Sequence, residues 1–195
     1  MKKTIVFSLI ACLFSACFGD KKSAIGTDFN NTSFINKNFK GNKVEFSNIA
    51  TPCNYTSKAA LAKLYNVTED KIHLIGGGNG GKTCTIRVKM SDSEYDYISG
   101  SIHFYEELDK TEYGGTWIET WQIQKGTSKS SEWISNFGKA AFYKGSKREL
   151  RVKFDNYALS VMAPGSAFNE VEKSKNRDYK KIALTMANEI PFFKK

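Results

Sequence analysis

The sequence has few of the residues that enzymes commonly use for acid–base or metal chemistry. Its 195 residues include two histidines and four cysteines, and neither G-x-S-x-G nor H-E-x-x-H occurs. His73 and His103 each fall within a strand pattern, where a histidine is more often structural than catalytic. We therefore expect a non-enzymatic protein that uses no cofactor and no metal. A hydrolase that pairs His103 with a neighbouring carboxylate is an alternative.

The chain also lacks an apolar run long enough for a transmembrane helix near its start. Such a helix needs about 20 apolar residues, and the run at residues 4–14 is shorter. Two lysines precede it and small residues follow, which is the layout of a secretory signal at 1–16. Ser15-Ala16-Cys17 resembles the lipobox of bacterial lipoproteins, which implies an N-terminal lipid on Cys17. We expect an exported outer-membrane lipoprotein; cleavage after Ala16, leaving a soluble protein, is the alternative.

Acidic residues are outnumbered: 29 lysines and arginines face 20 aspartates and glutamates, for a formal net charge of +9. Without the two lysines of the signal, the chain carries about +7. In an exported protein, this charge favours anionic lipid, an acidic glycan or another envelope protein as partner over nucleic acid. A basic surface that is merely solvated is the plain alternative.

Two cysteines remain once the signal and Cys17 are set aside. An even pair in an oxidising compartment predicts a disulfide between Cys53 and Cys84. Closing a loop of about 30 residues would stabilise the fold by about 3–4 kcal/mol in the chain-entropy model. A metal site or a thiol nucleophile is disfavoured, because two cysteines without flanking histidines offer neither a ligand set nor a base.

The glycine-rich segment GGGNGGKT at residues 76–83 matches the phosphate-loop pattern G-x-x-x-x-G-K-[ST] letter for letter. A phosphate loop must open a helix, because the first amides of that helix help to hold the phosphates. Here the lysine and threonine open the strand pattern TCTIRVKM instead. We therefore expect a hairpin loop and interpret the match as accidental.

The pattern of the remaining chain predicts an α+β domain at 44–195, in which helices flank an antiparallel sheet, after a flexible tether at 17–43. VEFSNI (44–49) fits a first strand or an extended lead-in. Helices are expected in TPCNYTSKAALAKLYNV, capped by Thr56 or Ser57 and ended by Asn66, and in NRDYKKIALTMANEI, capped by Asn176. Expected strands are KIHLI, TCTIRVKM, YDYISGSIHFYEEL with a bulge at Gly100, TWIETWQIQ, AAFYKG, ELRVKFDN and YALSVMAPG. A short helix is expected in GTSKSSEWISNFG.

Aromatic residues provide one candidate binding surface. If TWIETWQIQ is a strand, Trp117 and Trp121 lie on the same face, with Tyr113 just upstream. Their rings could stack on a sugar or form a contact point for a protein, which supports a small-ligand or glycan-binding domain as an alternative function. The competing interpretation is that both tryptophans belong to the core.

Charged residues provide two more candidates. Five cations cluster around one predicted hairpin: Lys144, Lys147, Arg148, Arg151 and Lys153. Of these, Arg151 and Lys153 share a strand face and would form a basic strip. Such a strip would suit phospholipid headgroups or an acidic partner. Glu106, Glu107 and Asp109 follow a strand, and they predict either a solvated turn or a cation site.

Four segments together resemble small exported bacterial lipoproteins with a PsbP-like α+β fold. They are CNYTSKAALAKLYNV, TCTIRV, FGKAAFYKGSKRELRVKFDNYALSVMA and IALTMANEI. The resemblance implies a lipid-anchored sandwich domain with a Cys53–Cys84 disulfide. Because that group consists mostly of binding, assembly or uncharacterised proteins, it also implies an accessory or binding role rather than catalysis.

Overall fold

A computed structural model describes residues 28–110, 114–166, 168–169, 172 and 175–193. In this part of the chain, seven antiparallel strands form one sheet and three α-helices pack against it, so the predicted α+β class is confirmed. The strands are β1 (Ile72–Gly77), β2 (Thr83–Lys89), β3 (Tyr97–Glu106), β4 (Ser131–Trp133), β5 (Ala140–Lys144), β6 (Glu149–Lys153) and β7 (Tyr157–Gly165). The helices are α1 (Lys58–Tyr65), α2 (Trp117–Gly126) and α3 (Tyr179–Glu189).

The strand order in the sheet is β1-β2-β3-β7-β6-β5-β4. Two meanders, β1 to β3 and β4 to β7, therefore join side by side where β3 pairs with β7. The predicted irregularity at Gly100 is present, because the register shifts between Ser99 and Ser101. A Cβ on Gly100 would lie 2.3 Å from the carbonyl oxygen of Met162, so a side chain does not fit there.

One face of the sheet is apolar and is covered by α1 and α3. Cys84, Ile86 and Val88 of β2 point into this core, as their alternation predicts, and all three are fully buried. Leu61 of α1 and Met186 of α3 close the core from above. Burying a large aliphatic side chain contributes about 1.5–3 kcal/mol, so this layer supplies much of the driving force for folding.

Local chemistry explains the bounds of α1 and α3. The Ser57 side chain accepts a hydrogen bond from the amide of Ala60, and Asn66 ends α1 in the left-handed conformation at φ 54°. These features confirm the predicted start and end of α1. The cap of α3 is Asp178, whose carboxylate accepts from the amide of Lys181. The expected cap at Asn176 is therefore wrong, because the helix begins two residues later than the pattern suggested.

The predicted disulfide is present. Cys53 and Cys84 are bonded, with their Cα atoms 5.0 Å apart. Cys53 belongs to a short 3₁₀ turn at Pro52–Tyr55, and Cys84 lies in β2, so the bond fastens the segment before α1 to the sheet.

The glycine-rich segment forms the hairpin that joins β1 to β2, as predicted. Thr83 begins β2, so no helix follows the lysine and threonine of the phosphate-loop pattern. The ammonium group of Lys82 instead donates to the backbone carbonyls of Ser47 and Ile49. Gly78 and Gly80 have φ values of 66° and 61°, a region that favours glycine, so the turn itself accounts for the composition.

Two secondary-structure predictions are wrong. The segment TWIETWQIQ belongs to helix α2, and the segment expected to be a short helix contains strand β4. In α2, Thr116 accepts from the amide of Glu119 while the Glu119 carboxylate accepts from the amide of Thr116, which is a complete capping box. Tryptophans four residues apart share a face in a helix as well as in a strand, so their spacing did not distinguish the two. Pairing with β5 holds β4 at the sheet edge and overrides its weak helical pattern.

The C-terminal part of the predicted tether, residues 28–43, packs on the domain. The amide of Asn36 donates to the carbonyl of Lys139 at 2.8 Å, and the ring of Phe34 stacks on Trp133 with centroids 4.0 Å apart. Residues 28–43 are therefore not a free linker, because aromatic side chains bind them to the sheet edge. The lead-in that follows forms a 3₁₀ turn at Phe46–Asn48 instead of a strand. Residues 17–27, including Cys17, lie outside the described part.

Candidate functional site

The two tryptophans expected on a binding face lie in the core instead. Trp121 is fully buried and Trp117 is 5% exposed; both point from α2 towards the second face of the sheet. Trp121 contacts Phe142 edge-on at 5.2 Å, and Trp117 meets Phe34 in the same way at 6.1 Å. This small aromatic cluster excludes both rings from ligand stacking, and the core interpretation is confirmed. Tyr113 lies outside the described residues.

The predicted basic strip is not a surface feature. Lys153 is fully buried, and the guanidinium of Arg148 donates to the carbonyl of Gly165 at 3.0 Å. Lys144 is half-buried, while Lys147 is exposed in the turn before β6. Arg151 and Lys153 do share a strand face, but helix α2 covers that face, so the strip prediction is wrong.

Lys153 is held by a set of oxygen acceptors. Its ammonium group donates to the backbone carbonyls of Glu107 and Asp155, at 2.7 and 2.8 Å, and lies 3.4 Å from the carboxylate of Asp109. Burial lowers the pKa of Lys153, while the carboxylates of Glu107 and Asp109 raise it. A buried ammonium with three oxygen neighbours is satisfied, and it serves to fasten strands and loops together.

Arg151 links α2 to the sheet from the same face. Its guanidinium donates to Gln124 of α2 and to the hydroxyl of Tyr105. It also lies over the ring of Trp121, 5.7 Å from the centroid. Burial lowers its pKa to about 10, so it remains charged at neutral pH. Glu107 lies 3.9 Å away, and its other oxygen accepts from the indole nitrogen of Trp121 at 2.9 Å.

The acidic residues at the end of β3 belong to this polar cluster. Burial raises the pKa of Glu107, and Asp109 accepts from Lys139 at 2.8 Å. Glu107 therefore pairs with cations between α2 and the sheet, whereas Asp109 is half-exposed and Glu106 is exposed, so the solvated-turn prediction is wrong for Glu107 alone. Within the described residues, no group of three or more histidine, cysteine or acidic side chains could hold a metal ion.

His103 lies beside this cluster on the same face. Burial, and then the charge of Arg151, lower the pKa of its imidazole. Ser160 is its direct partner across the β3–β7 ladder, and the Ser160 hydroxyl donates to Glu149 at 2.7 Å. Because the hydroxyl proton points to a carboxylate rather than to the imidazole, this arrangement does not activate Ser160 as a nucleophile.

A surface feature that sequence reasoning missed is an open groove between α1 and α3. It encloses about 600 Å³, and its lining residues are Ala60, Lys63, Leu64, Lys175, Arg177, Asp178, Lys181, Ile182 and Thr185. We call this the helix groove. Its floor is formed by the apolar side chains of Ala60 and Leu64 from α1 and Ile182 from α3, together with Thr185, whose hydroxyl donates to the carbonyl of Lys181 at 2.8 Å. Its rim is cationic.

The rim lysines of the helix groove differ from its other charged residues. Arg177 is bound to Glu172 at 2.8 Å and also donates to the carbonyl of Tyr65 at 3.2 Å, so it belongs to the groove wall. Lys63, Lys175 and Lys181 are exposed. The acid in the lining, Asp178, caps the first turn of α3. The groove therefore presents excess positive charge above an apolar floor.

A second uncovered surface lies on the sheet face that carries α2, at the end formed by β1 to β3 and away from that helix. His73, Arg87 and Tyr97 line a shallow depression of about 270 Å³ there, together with Ile75, which is 46% exposed. The imidazole of His73 meets the ring of Tyr97 edge-on at 5.5 Å. Helix α2 covers only the other end of this sheet face, so these side chains remain accessible.

Comparisons with known proteins provide no relative for this chain. No family model matches it, and neither a curated protein nor a solved structure is significantly similar to it. The resemblance to PsbP-like lipoproteins therefore stays a prediction. Among the described helices, none combines the length and the apolar character that crossing a membrane requires.

Proposed function

We propose that this chain is an exported, lipid-anchored cell-envelope protein with a non-enzymatic binding or accessory role. The observation that supports a binding role best is the helix groove, an open cleft of about 600 Å³ with an apolar floor and a lysine rim. Binding sites combine apolar contact area with a few charged groups that select the partner. Anionic envelope components are the chemical match for this surface.

Several residues predicted to form binding sites are instead used to hold the fold together, which supports placing the binding site elsewhere. Trp117 and Trp121 pack in the core. Lys153 donates to the carbonyl of Glu107, and Arg151 donates to the hydroxyl of Tyr105, so both cations are held between α2 and the sheet. The helix groove, by contrast, leaves its lysines exposed. Export and attachment rest on the basic start, the short apolar run and Cys17 of the sequence.

The test is affinity co-purification of the tagged protein from gently solubilised envelopes, with and without crosslinking. We expect a stoichiometric partner that is lost from the double variant Lys63→Glu, Lys181→Glu. The matched control is Lys37→Glu, Lys129→Glu, which makes the same charge change at exposed lysines outside the groove. A partner retained equally by both variants would refute the groove as the binding site.

The anchor is tested separately. A Cys17→Ala variant should lose metabolically incorporated palmitate and move from the membrane fraction to the soluble fraction, because the lipid is the proposed attachment. A variant that still sediments with membranes and still incorporates label would contradict attachment at this cysteine.

One observation favours a second candidate, a small-ligand or glycan-binding function. His73, Tyr97 and Arg87 combine ring faces with a cation in the shallow depression on β1 to β3. Rings and guanidinium groups of this kind bind sugars and anions. Calorimetry with acidic and neutral envelope glycans, comparing the native protein with Tyr97→Ala, tests it; heats that Tyr97→Ala leaves unchanged would exclude this surface.

A further inference from the structure

We infer that the helix groove accepts an acidic amphipathic helix of a partner protein. This inference rests on the proposed function, since it assumes that the groove is the binding site, and it adds the class of partner. Three features of the groove carry it: its shape, its apolar floor and the position of its lysines.

The shape of the groove suits a helix. Its walls are two helices of 8 and 11 residues, which span about 12 and 16 Å at 1.5 Å per residue. A third helix can lie in the furrow between two others by the ridge-and-groove packing that helices use in cores. The lining residues run from Ala60 to Leu64 on α1 and from Asp178 to Thr185 at α3, so the contact length corresponds to about one to two turns of the partner.

The floor suits the apolar stripe of such a helix. Ala60 and Leu64 are one turn apart on α1, and Ile182 and Thr185 are spaced by three residues on α3. The small side chain of Ala60 lets another backbone approach closely. Apolar residues at i, i+3, i+4 and i+7 of the partner would meet this floor, which is the usual mode of helix-in-groove recognition.

The lysines select an acidic partner. Lys63 lies on α1, Lys181 lies on α3 and Lys175 lies in the segment before α3, so cations flank the floor on both sides. A helix in the groove would place its two polar flanks beside these exposed side chains. Glutamates and aspartates on those flanks would pair with them, and lysines there would be repelled.

Two other occupants fit the groove less well. A lipid acyl chain needs an enclosed site, because an open groove would leave much of the chain in water. Once the predicted signal is removed, the chain's own residues 17–27 contain Lys21 and Lys22 against Asp20, so their charge does not complement the lysine rim.

The probe is a fluorescent, helix-stapled peptide of about 14 residues, with leucines at i, i+3, i+4 and i+7 and glutamates on both flanks. Its controls are a scrambled peptide of the same composition and a peptide with lysines in place of the glutamates. Phosphatidylglycerol vesicles test the lipid alternative. Fluorescence anisotropy measures peptide affinity, and co-sedimentation measures vesicle binding.

We expect the amphipathic acidic peptide to bind, and both control peptides to bind at least about tenfold more weakly. Lys63→Glu, Lys181→Glu should weaken binding by about tenfold or more, because two attractive contacts become repulsive. Ala60→Trp should also weaken binding by filling the floor, whereas Lys37→Glu, Lys129→Glu should leave it within about twofold. Circular dichroism of each variant verifies that it is folded.

Equal binding of the scrambled peptide would overturn the inference, since it would show mere attraction of polyanions. Binding of vesicles without binding of the acidic helix would overturn it in favour of a membrane surface, and no binding of any probe would overturn it outright. In these cases, an envelope partner that depends on Lys63 and Lys181 would leave the proposed binding role intact and exclude only the acidic helix.

Discussion

The two faces of the sheet hold their helices in different ways. On one face, α1 and α3 cover an apolar core in which Leu61, Ile86 and Met186 are buried. On the other, α2 is attached through a cluster of charges that includes Lys153, Arg151 and Glu107, beside a smaller aromatic cluster. Apolar burial is roughly additive and tolerant of imperfect geometry, whereas a buried charge is stable only with all its partners in place. The polar face should therefore be more sensitive to single changes and to pH.

The largest effect is expected for Lys153→Ala on the polar face. Removing this cation leaves the carbonyls of Glu107 and Asp155 and the carboxylate of Asp109 without their shared donor. We expect a loss of about 3–5 kcal/mol in the free energy of unfolding, measured by urea titration. The exposed Lys129→Ala is the control, with a change within about 0.5 kcal/mol. Equal stability of the two variants would show that the cluster does not anchor α2.

Removal of the disulfide probes the apolar face. The double variant Cys53→Ser, Cys84→Ser opens a loop with a sequence separation of 31 residues. We expect a loss of about 3–4 kcal/mol, mainly because the unfolded chain gains freedom. The same urea titration of the native protein with and without reductant provides an independent estimate. Reductant that leaves the midpoint unchanged would contradict a stabilising bond.

Leu61→Ala tests packing alone on the apolar face. Leu61 is 2% exposed on the buried side of α1, so its truncation leaves a cavity. We expect a loss of about 3 kcal/mol, with the same value at pH 5 and pH 8 because no charge is involved. The measurement is the free energy of unfolding at both pH values. A strong pH dependence of this loss would remove the contrast between the faces.

The smallest change in the free energy of unfolding is expected for Glu107→Gln on the polar face. Unlike the loss in Leu61→Ala, this change should depend on pH. Burial raises the pKa of Glu107 above its ordinary value of 4.5. The folded state then binds this proton more tightly than the unfolded state, so native stability falls as the pH rises from the ordinary value through the raised one. The amide that replaces the carboxyl group in this variant has no such proton, and its oxygen can still accept from Trp121.

The difference between Glu107→Gln and the native protein should therefore be close to zero in acid and should shift in favour of the variant as the pH rises. Urea titrations at pH 4 to 8 measure it. A difference that is independent of pH would contradict a raised pKa for this carboxyl group.

Sequence patterns predicted most of the sheet, because alternation and turn residues are local. Cys84, Ile86 and Val88 share a face in any strand of TCTIRVKM, and the cap of α1 needs only Ser57 and its immediate neighbours. Helix α2 was missed because the i, i+4 spacing of Trp117 and Trp121 fits both a helix and a strand. The capping box formed by Thr116 and Glu119 was the signal that could have distinguished them.

The candidate site could not be predicted in the same way. Lys63 and Lys181 are far apart in the sequence, and nothing in either helix pattern indicates that α1 and α3 lie side by side. The polar cluster likewise joins the end of β3, β6 and α2, so its members look like separate surface charges in the sequence.

By itself, the sequence determined six of the seven described strands, two of the three described helices, the hairpin at the glycines and the disulfide pair. The physical reason is that caps, turns and alternation depend on residues close together in the chain, and the two cysteines outside the predicted signal and lipid-attachment site allow one pairing. Only the tertiary structure decided that Trp121 and Lys153 are buried and that lysines of α1 and α3 flank one groove. Burial and charge proximity depend on which surfaces meet, and contacts between distant segments determine that.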